Sequence, residues 1–231
     1  MEQLKKLVLQ VRKNPALELE VRLGKIVSDR FNPGVDATFF EALRVELEAC
    51  NEVYTSETWK EEMDVFFQTD SKEMRTRVSY PSHIMSVKST TIQKKRVVNV
   101  DFTTDAEYDL RVALSEEIPV TDVAAIVLPT AVRLKHVKRY YYRHGDVETN
   151  TWCFELSKTW TAPSRTEAED KQYNDIPVYE IECELTDTRE YVSTHSDKYI
   201  ATSLMMKACD LLGNANANYK VHKKNTLQRR P

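Results

Sequence analysis

The chain has 231 residues, of which 41% are hydrophobic and 30% are charged, and its formal net charge is −3. This composition allows one sizeable hydrophobic core, and it contains no run of about 18 apolar residues that would predict a membrane-spanning helix. The four cysteines are widely separated and form no CxxC pair, so we expect free thiols in a reducing, intracellular compartment. The five histidines lack the spacing of a zinc site, and the four glycines form no phosphate-binding loop.

Apolar residues at helical spacing predict three helices. The first lies near the start of the chain and ends at Asn14-Pro15. The second covers residues 38–50, and the third covers residues 199–212 with Gly213 as its C-terminal stop.

Alternating apolar and polar residues predict strands across most of the rest of the chain. These strands cover residues 17–26, 60–67, 73–80, 83–88, 91–102, 107–114, 131–143, 150–159 and 177–187. So many strands with few helical interruptions predict an α+β fold, in which a mainly antiparallel sheet closes into a barrel and helices pack on its outside. We expect one domain over residues 1–213 and a basic tail or linker over residues 214–231.

The polar faces of these strands carry charges that are sorted by sign. The acidic rows are Glu18 with Glu20, and Glu180 with Glu182 and Glu184; the basic rows are Arg75 with Arg77, Lys94 with Arg96, and Arg133 with Lys135. Like charges two residues apart on a strand lie about 6.6 Å from each other and repel by roughly 0.6 kcal/mol in water. A single alternating strand normally turns its charges to solvent, but sorted rows favour an interior that gathers cations on one side and anions on the other. We therefore predict a barrel of about eight strands with a charged interior.

Acidic rows facing basic rows suit a polyphosphate and its divalent cation. Carboxylates are the ligands that Mg²⁺ or Mn²⁺ prefers, while arginine and lysine neutralise phosphoryl oxygens. The chemistry this predicts is attack of water on a terminal phosphorus, without a covalent nucleophile.

Seven motifs carry a resemblance to a known family. In chain order they are ELEVRLG, MRTRVSY, IQKKRV, YDLRVALSEE, RLKHVKRY, CFELSK and YEIECEL. Together they resemble the triphosphate tunnel metalloenzymes, and more narrowly the metal-dependent RNA 5′-triphosphatases of fungal, protozoal and large-DNA-virus mRNA capping. The resemblance covers about residues 17–187 and implies a closed, antiparallel, eight-stranded tunnel.

The resemblance also implies site residues. The metal ligands would be Glu18, Glu20 and Glu184, holding Mg²⁺ or Mn²⁺, with Glu180 in a supporting role. The catalytic residues would be Glu117, Glu155, Glu182, Arg96 and Lys158, with Glu117 orienting the attacking water and Glu182 in a water-mediated metal role. The phosphate-binding residues would be Arg75, Arg77, Lys94, Arg111, Arg133, Lys135, Lys138, Arg139 and Ser157.

Two departures from the family pattern affect this site. Glu155 stands where the family usually has aspartate. In the strand from 131 to 143, the family has the alternating pattern Arg/Lys-x-Lys-x-Arg. Ending this pattern at Arg139 puts Val137 at the central lysine, and starting it at Arg133 gives Lys135 and then Val137 at the last basic position. A β-bulge would turn Lys138 inward, so the register of this strand is left open.

The expected function is removal of the γ-phosphate from 5′-triphosphate RNA, the first step of cap formation, with hydrolysis of free nucleoside triphosphates in Mn²⁺. One alternative is a sister tunnel enzyme acting on tripolyphosphate or thiamine triphosphate, although those relatives begin with Glu-x-Glu-x-Lys and here Arg22 replaces the lysine. Another is a non-catalytic RNA-binding barrel, since basic residues and tyrosines interleave in RLKHVKRYYYR. The expected partner is a guanylyltransferase, separate or fused after the C-terminus, with no membrane. The expected location is the nucleus, or the cytoplasm or virus factory for a viral protein.

Overall fold

The computed structural model describes residues 1–68, 73–80, 88–121, 129–142, 151–186 and 188–228, with residues 73, 80, 188 and 214–228 described by their backbone alone. The helices are α1 (Glu2–Lys13), α2 (Ala37–Ala49), α3 (Arg165–Asn174), α4 (Thr188–Thr194) and α5 (Asp197–Gln228). The strands are β1 (Leu17–Val27), β2 (Arg30–Pro33), β3 (Tyr54–Ser56), β4 (Lys60–Gln68), β5 (Glu73–Tyr80), β6 (Lys88–Phe102), β7 (Asp109–Pro119), β8 (Pro129–Tyr142), β9 (Trp152–Ala162) and β10 (Val178–Leu185). The predicted strand at 83–88 lies almost entirely outside the described residues.

Eight of these strands form a closed antiparallel barrel. Their order around the ring is β1, β7, β6, β5, β4, β8, β9 and β10, and β10 pairs with β1 to close it. The short strands β2 and β3 pair with β1 and β8. The predicted closed barrel with helices outside it is confirmed.

The main hydrophobic core lies between the outer face of the barrel and α1, α2 and α5. On β1, the alternate residues Leu19, Val21 and Leu23 are fully buried in this core. Because side chains alternate between the faces of a strand, the polar residues between them face the barrel interior. The helices thus cover the apolar face, and the charged face is left to line a tunnel.

Two of the helices, α2 and α3, begin at residues whose side chains cap them. Asp36 accepts a hydrogen bond from the Phe39 N–H at the start of α2. α3 was not predicted because it buries only one residue, Ala168, and so shows no apolar stripe. Its sequence signal is a capping box, in which Ser164 accepts from the Glu167 N–H and donates to the Glu167 carboxylate.

The predicted stop at Gly213 is wrong, because α5 continues through this glycine to Gln228. The helix α4 and the strands β2 and β3 are short elements that periodicity did not reveal. Among the residues that the structure describes, no helix combines the length and the apolar character needed to cross a membrane.

Gly24 of β1 lies close to the backbone of β2, and we predict that Gly24→Ala destabilises the fold. An added Cβ would lie 2.3 Å from the Asn32 carbonyl oxygen and 2.7 Å from the Phe31 ring. We expect the free energy of unfolding in urea to fall by about 1–3 kcal/mol. Gly213→Ala is the control, since its Cβ would meet nothing within 4 Å and should stabilise α5 by about 0.5–1 kcal/mol. An unchanged urea midpoint for Gly24→Ala would contradict this close approach.

Candidate active site within the barrel

Strand pairing brings the two acidic rows together. β1 and β10 are neighbours, and their register places Glu20 opposite Glu184. The next pair of residues whose side chains face the tunnel interior is Arg22 with Glu182. Glu18 shares the interior face with Glu20, because it lies two residues away on the same strand. The three predicted metal ligands therefore lie on adjacent strands of one tunnel wall.

Lys94 of β6 connects this wall to the neighbouring strands. Its ammonium group donates to the Glu18 carboxylate and lies 3.8 Å from Glu20 Oε2 and 3.7 Å from Glu117 Oε1. Arg75 of β5 donates to Glu117 at 3.0 Å. Burial alone would raise the pKa of Glu18, but Lys94 outweighs it, so this pKa is lowered.

Two carboxylates on this wall are poorly compensated. Burial, with the nearby charge of Glu182, raises the pKa of Glu20 to about 7. Burial, with the charges of Glu18 and Glu155, raises the pKa of Glu184 to about 8. This wall therefore gathers more carboxyl groups than its basic neighbours keep ionised near neutral pH.

The donor set fits a hard divalent cation, since a cation among these carboxylates would relieve the repulsion that raises their pKa values. In the described part of the chain, no three acidic, histidine or cysteine side chains already converge at metal-binding distance. Instead, Lys94 holds Glu18, and Arg22 lies 3.0 Å from Glu20 and 3.2 Å from Glu182. The carboxylates Glu18, Glu20 and Glu184 are the residues that would hold the metal.

A second charged cluster lies on β4, β5 and β8. Arg77 donates two hydrogen bonds to Asp64, at 2.7 and 3.0 Å. Arg139 donates two to Glu62, at 2.8 and 3.2 Å. Glu62 also lies 3.4 Å from Arg77 and so links the two arginines. Both acids are buried, with exposed fractions of 4% for Glu62 and 1% for Asp64.

Glu155 joins the same cluster from β9. Lys135 donates to Glu155 at 2.6 Å, and Arg139 donates to it at 2.8 Å. Burial would raise the pKa of Glu155, but Lys135 and Arg139 outweigh it and hold the pKa well below its usual range. The glutamate therefore stays ionised and holds two cations in place, although the family usually has aspartate here.

Glu62 and Asp64 are site residues that are not among those predicted from the sequence. The segment KEEMDVFF predicts a strand, and its acids divide between the two faces. Glu62 and Asp64 alternate with Met63 and Val65, and this period of two was the available signal. Glu61, which interrupts the pattern, is exposed.

The register of β8 resolves the alignment left open by the sequence. β8 pairs with β9 without a shift from Val132 to Tyr141, so no bulge turns Lys138 inward. Lys138 instead faces outward, bonds to Glu48 of α2 and lies over the Tyr140 ring. The prediction that Lys138 binds phosphate in the tunnel is wrong, because strand alternation gives Val137 the inward position.

Lys158 is also outside the tunnel. It follows the inward-facing Ser157, donates to Glu41 of α2 at 3.3 Å and lies 5.4 Å from the Trp59 ring centre. The predicted catalytic position for Lys158 is therefore wrong. Consecutive residues on a strand face opposite sides, so Ser157 and Lys158 do not both face the site.

The remaining predicted residues lie along the tunnel. Ser157 is buried on β9 opposite Glu180, and Arg133 Nη1 lies 4.0 Å from Glu180 Oε2. Arg111 donates to Asp101 through two bonds of 2.7 and 2.8 Å. The roles expected for these residues, and for those of the two acidic rows, stay predictions.

One end of the tunnel is rich in arginine, and we call it the basic mouth. It opens into a cavity of about 500 Å³ whose lining includes Arg22, Arg96, Arg111 and Arg133, together with Arg75 and Lys94 deeper inside. The buried Nε atom of Arg75 has no hydrogen-bond acceptor among the described residues, and that of Arg22, although 3.2 Å from Glu182 Oε1, is not directed at it well enough for a hydrogen bond. Unsatisfied guanidinium donors inside a cavity suit an anionic ligand rich in oxygen acceptors.

The other end, which we call the acidic mouth, is lined by Glu18, Glu117 and Glu184. They surround a cavity of about 220 Å³ together with residues next to the start of β1 and the end of β10. Two of these three glutamates, Glu18 and Glu184, are also among the three predicted metal ligands. The tunnel thus differs in charge from one end to the other.

A family model described as "mRNA capping enzyme, beta chain" matches residues 8–207. The chain belongs to this family. Its members are the RNA triphosphatases of mRNA capping, and the family is metal-dependent, so the resemblance drawn from the seven motifs is confirmed.

Solved structures of mRNA capping RNA triphosphatases share the fold. The S. pombe RNA triphosphatase Pct1 is 15% identical, with a TM-score of 0.67 over 92% of this chain and 93% of that chain. Pct1 has also been solved in complex with the Spt5 CTD, with the same TM-score and identity over 91% of each chain. The Mimivirus capping enzyme triphosphatase is 12% identical, with a TM-score of 0.57 over 91% of this chain and 96% of that one. Comparison with curated proteins found no matching sequence.

We predict that Glu62 positions Arg139 and Arg77 for the RNA triphosphatase reaction. Glu62→Gln keeps the side chain's volume but removes the charge that orients both guanidinium groups. We expect kcat/KM for phosphate release to fall by about tenfold or more, as for loss of a charge-assisted contact. Glu61→Gln, on the opposite face of β4, is the matched control and should keep wild-type activity. Equal activity of the two variants would remove Glu62 from the site.

The raised pKa values of Glu20 and Glu184 predict a pH dependence of stability in the metal-free protein. Folded carboxyl groups with pKa values of about 7 and 8 hold protons that an unfolded chain, with values near 4.5, has released. Their contribution therefore destabilises the fold as pH rises from about 5 to 8. We expect Tm measured in EDTA to fall across this range, and to fall less steeply in Glu184→Gln. A wild-type Tm that rises from about pH 6 to pH 8 would contradict the proton uptake.

Proposed function

We propose that the protein removes the γ-phosphate from 5′-triphosphate RNA with Mg²⁺ or Mn²⁺, and that it also hydrolyses free nucleoside triphosphates in Mn²⁺. The observation that carries this proposal is the pairing of Glu20 with Glu184 in the same tunnel as Lys94 and Arg75. An acidic wall for a cation and donors for phosphate oxygens then face one enclosed space.

Basic residues of the tunnel would bind the phosphates, and an acidic residue would orient the attacking water. Arg75 and Lys94 would bind and orient the phosphates, and the orphaned Arg75 Nε has a donor to offer. Glu117 is held by Arg75 beside Lys94, where its carboxylate would orient the attacking water and accept its proton. A bound divalent cation would supply charge neutralisation at the phosphoryl oxygens.

The second charged cluster, on β4, β5 and β8, would hold arginine side chains in fixed orientations. Asp64 and Glu62 hold Arg77 and Arg139 with paired hydrogen bonds, so these guanidinium planes are oriented before substrate arrives. Preorganised donors stabilise developing charge without reorganisation during the reaction.

The partners and setting follow from the same proposal. A guanylyltransferase would act on the RNA 5′-diphosphate product, and the Mimivirus relative is described as the RNA triphosphatase domain of a trifunctional mRNA capping enzyme. We propose that the catalytic domain spans residues 1–213 and that residues 214–231 form a tail or linker. We also propose that the protein acts in the nucleus, or in the cytoplasm or a virus factory if it is viral.

A non-catalytic RNA-binding barrel is not supported by Tyr140 or Tyr142 of β8. Tyr140 is fully buried, and Tyr142 packs against Tyr54 of β3 with ring centres 5.9 Å apart. Neither offers the exposed ring that stacking on single-stranded RNA requires.

Glu18→Ala and Glu184→Ala should each abolish phosphate release from triphosphate-ended RNA, by more than about a hundredfold, because they remove two of the proposed metal ligands. Both variants should stay folded, since each removes one carboxyl group from a crowded acidic wall. Phosphate release from RNA, ATP and tripolyphosphate, each with Mg²⁺, Mn²⁺ or EDTA, measures the activity and separates RNA from tripolyphosphate hydrolysis.

Glu116→Ala is the matched control, because Glu116 directly precedes Glu117 on β7 and its side chain lies outside the tunnel. Its carboxylate accepts a hydrogen bond of 3.3 Å from the Asn14 side chain. This variant should keep wild-type activity. If Glu18→Ala or Glu184→Ala turns over at a near-normal rate, or if EDTA leaves wild-type activity intact, the metal assignment fails.

A further inference from the structure

The two mouths of the tunnel differ in what they offer to a nucleic-acid chain. In the cavity behind the basic mouth, Glu20 is the sole acid among the described lining residues, against six arginine and lysine side chains. Around the acidic mouth the described lining residues include three glutamates and no basic side chain. An RNA strand carries a negative charge at each phosphodiester, so its approach is favoured at one end and opposed at the other.

Arg96 stands at the basic mouth with its side chain available. It lies on the interior face of β6, two residues after Lys94, and it is exposed. Within the described ranges no carboxylate lies within ion-pair distance of it. Next to it, β6 shifts register against β7 between Arg96 and Val98, and such a bulge bends the strand locally.

Arg111 stands on the adjacent strand with a fixed guanidinium plane. Asp101 binds it through two hydrogen bonds, and the Phe31 ring lies 4.6 Å beneath it. A guanidinium group held on one edge and one face presents its remaining donors in a single direction. Arg111 also lines the cavity, so those donors border the path into the tunnel.

We propose that triphosphate RNA enters through the basic mouth with its γ-phosphate innermost, and that Arg96 and Arg111 bind the phosphodiesters that follow the triphosphate. This inference rests on the proposed function and adds a direction of entry and a basis for preferring RNA over free nucleotides. It moves Arg96 from the chemical step, where the resemblance placed it, to recognition of the RNA chain.

Hydrolysis of GTP and of 5′-triphosphate RNAs of two, three and five nucleotides tests the contacts. For the wild type we expect kcat/KM to rise with the first phosphodiesters, mainly through a lower KM. In Arg96→Gln the ratio of kcat/KM for RNA to that for GTP should fall by about tenfold, and the slope of log KM against log salt should decrease by about one. Arg111→Gln should lower the same RNA-to-GTP ratio and the same salt dependence of KM.

Lys95→Gln is the matched control. Lys95 is exposed, directly precedes Arg96 and faces the outside of the barrel. Its substitution therefore removes one positive charge without changing the tunnel. An RNA-to-GTP ratio that is equal in Arg96→Gln and Lys95→Gln overturns the contact. A wild-type enzyme that hydrolyses all lengths equally overturns the inference but leaves the proposed function standing, whereas failure to hydrolyse any of them defeats the proposed function itself.

Photocrosslinking tests the direction of entry. A five-nucleotide triphosphate RNA with 4-thiouridine at its second position is bound to the full chain in Ca²⁺ and irradiated, and the modified peptides are identified. Adducts on β6 and β7 around Arg96 and Arg111 support the inference. Adducts on residues 15–18 or 185–186, at the acidic mouth, overturn it.

Discussion

The structure depends on pairing charges that the barrel removes from water. An unpaired buried charge costs several kcal/mol, so a polar interior is stable only when each ion has an oppositely charged, hydrogen-bonded partner. Lys135 and Arg139 satisfy Glu155, and Arg139 in turn satisfies Glu62. These bonds cross from β8 to β9 and to β4, and they fix both the conformation of the arginines and the relation between the strands.

The acidic wall of the tunnel departs from this balance. Asp64 keeps a lowered pKa beside Arg77, whereas Glu20 and Glu184 have raised values because burial and other glutamates outweigh their basic neighbours. One side of the tunnel is thus electrostatically satisfied, and the other has a surplus of carboxyl groups over basic partners. A surplus of this kind is expected where a site is built to receive a cation, since groups matched to a ligand are poorly matched without it.

Much of the fold and part of the site followed from sequence pattern. The sorted rows of Glu18, Glu20 and Glu184 predicted an inverted barrel, because alternation along a strand assigns each residue to a face. The same rule excludes Lys138 and Lys158 from the interior, because each directly follows an inward-facing residue, Val137 or Ser157. The resemblance of the motifs implies tunnel positions for both lysines, which conflicts with that rule. Their bonds to Glu48 and Glu41 of α2 agree with the alternation rule instead.

The sequence by itself determined which residues share a face and which sign of charge each strand carries, because both depend only on a period of two. Only the tertiary structure decided which strands are neighbours, and therefore that Glu20 faces Glu184, that Glu62 and Asp64 hold two arginines, and that the tunnel has one basic and one acidic mouth. Those relations join residues far apart in the chain, up to 164 positions for Glu20 and Glu184. They depend on how the barrel closes, which no local pattern encodes.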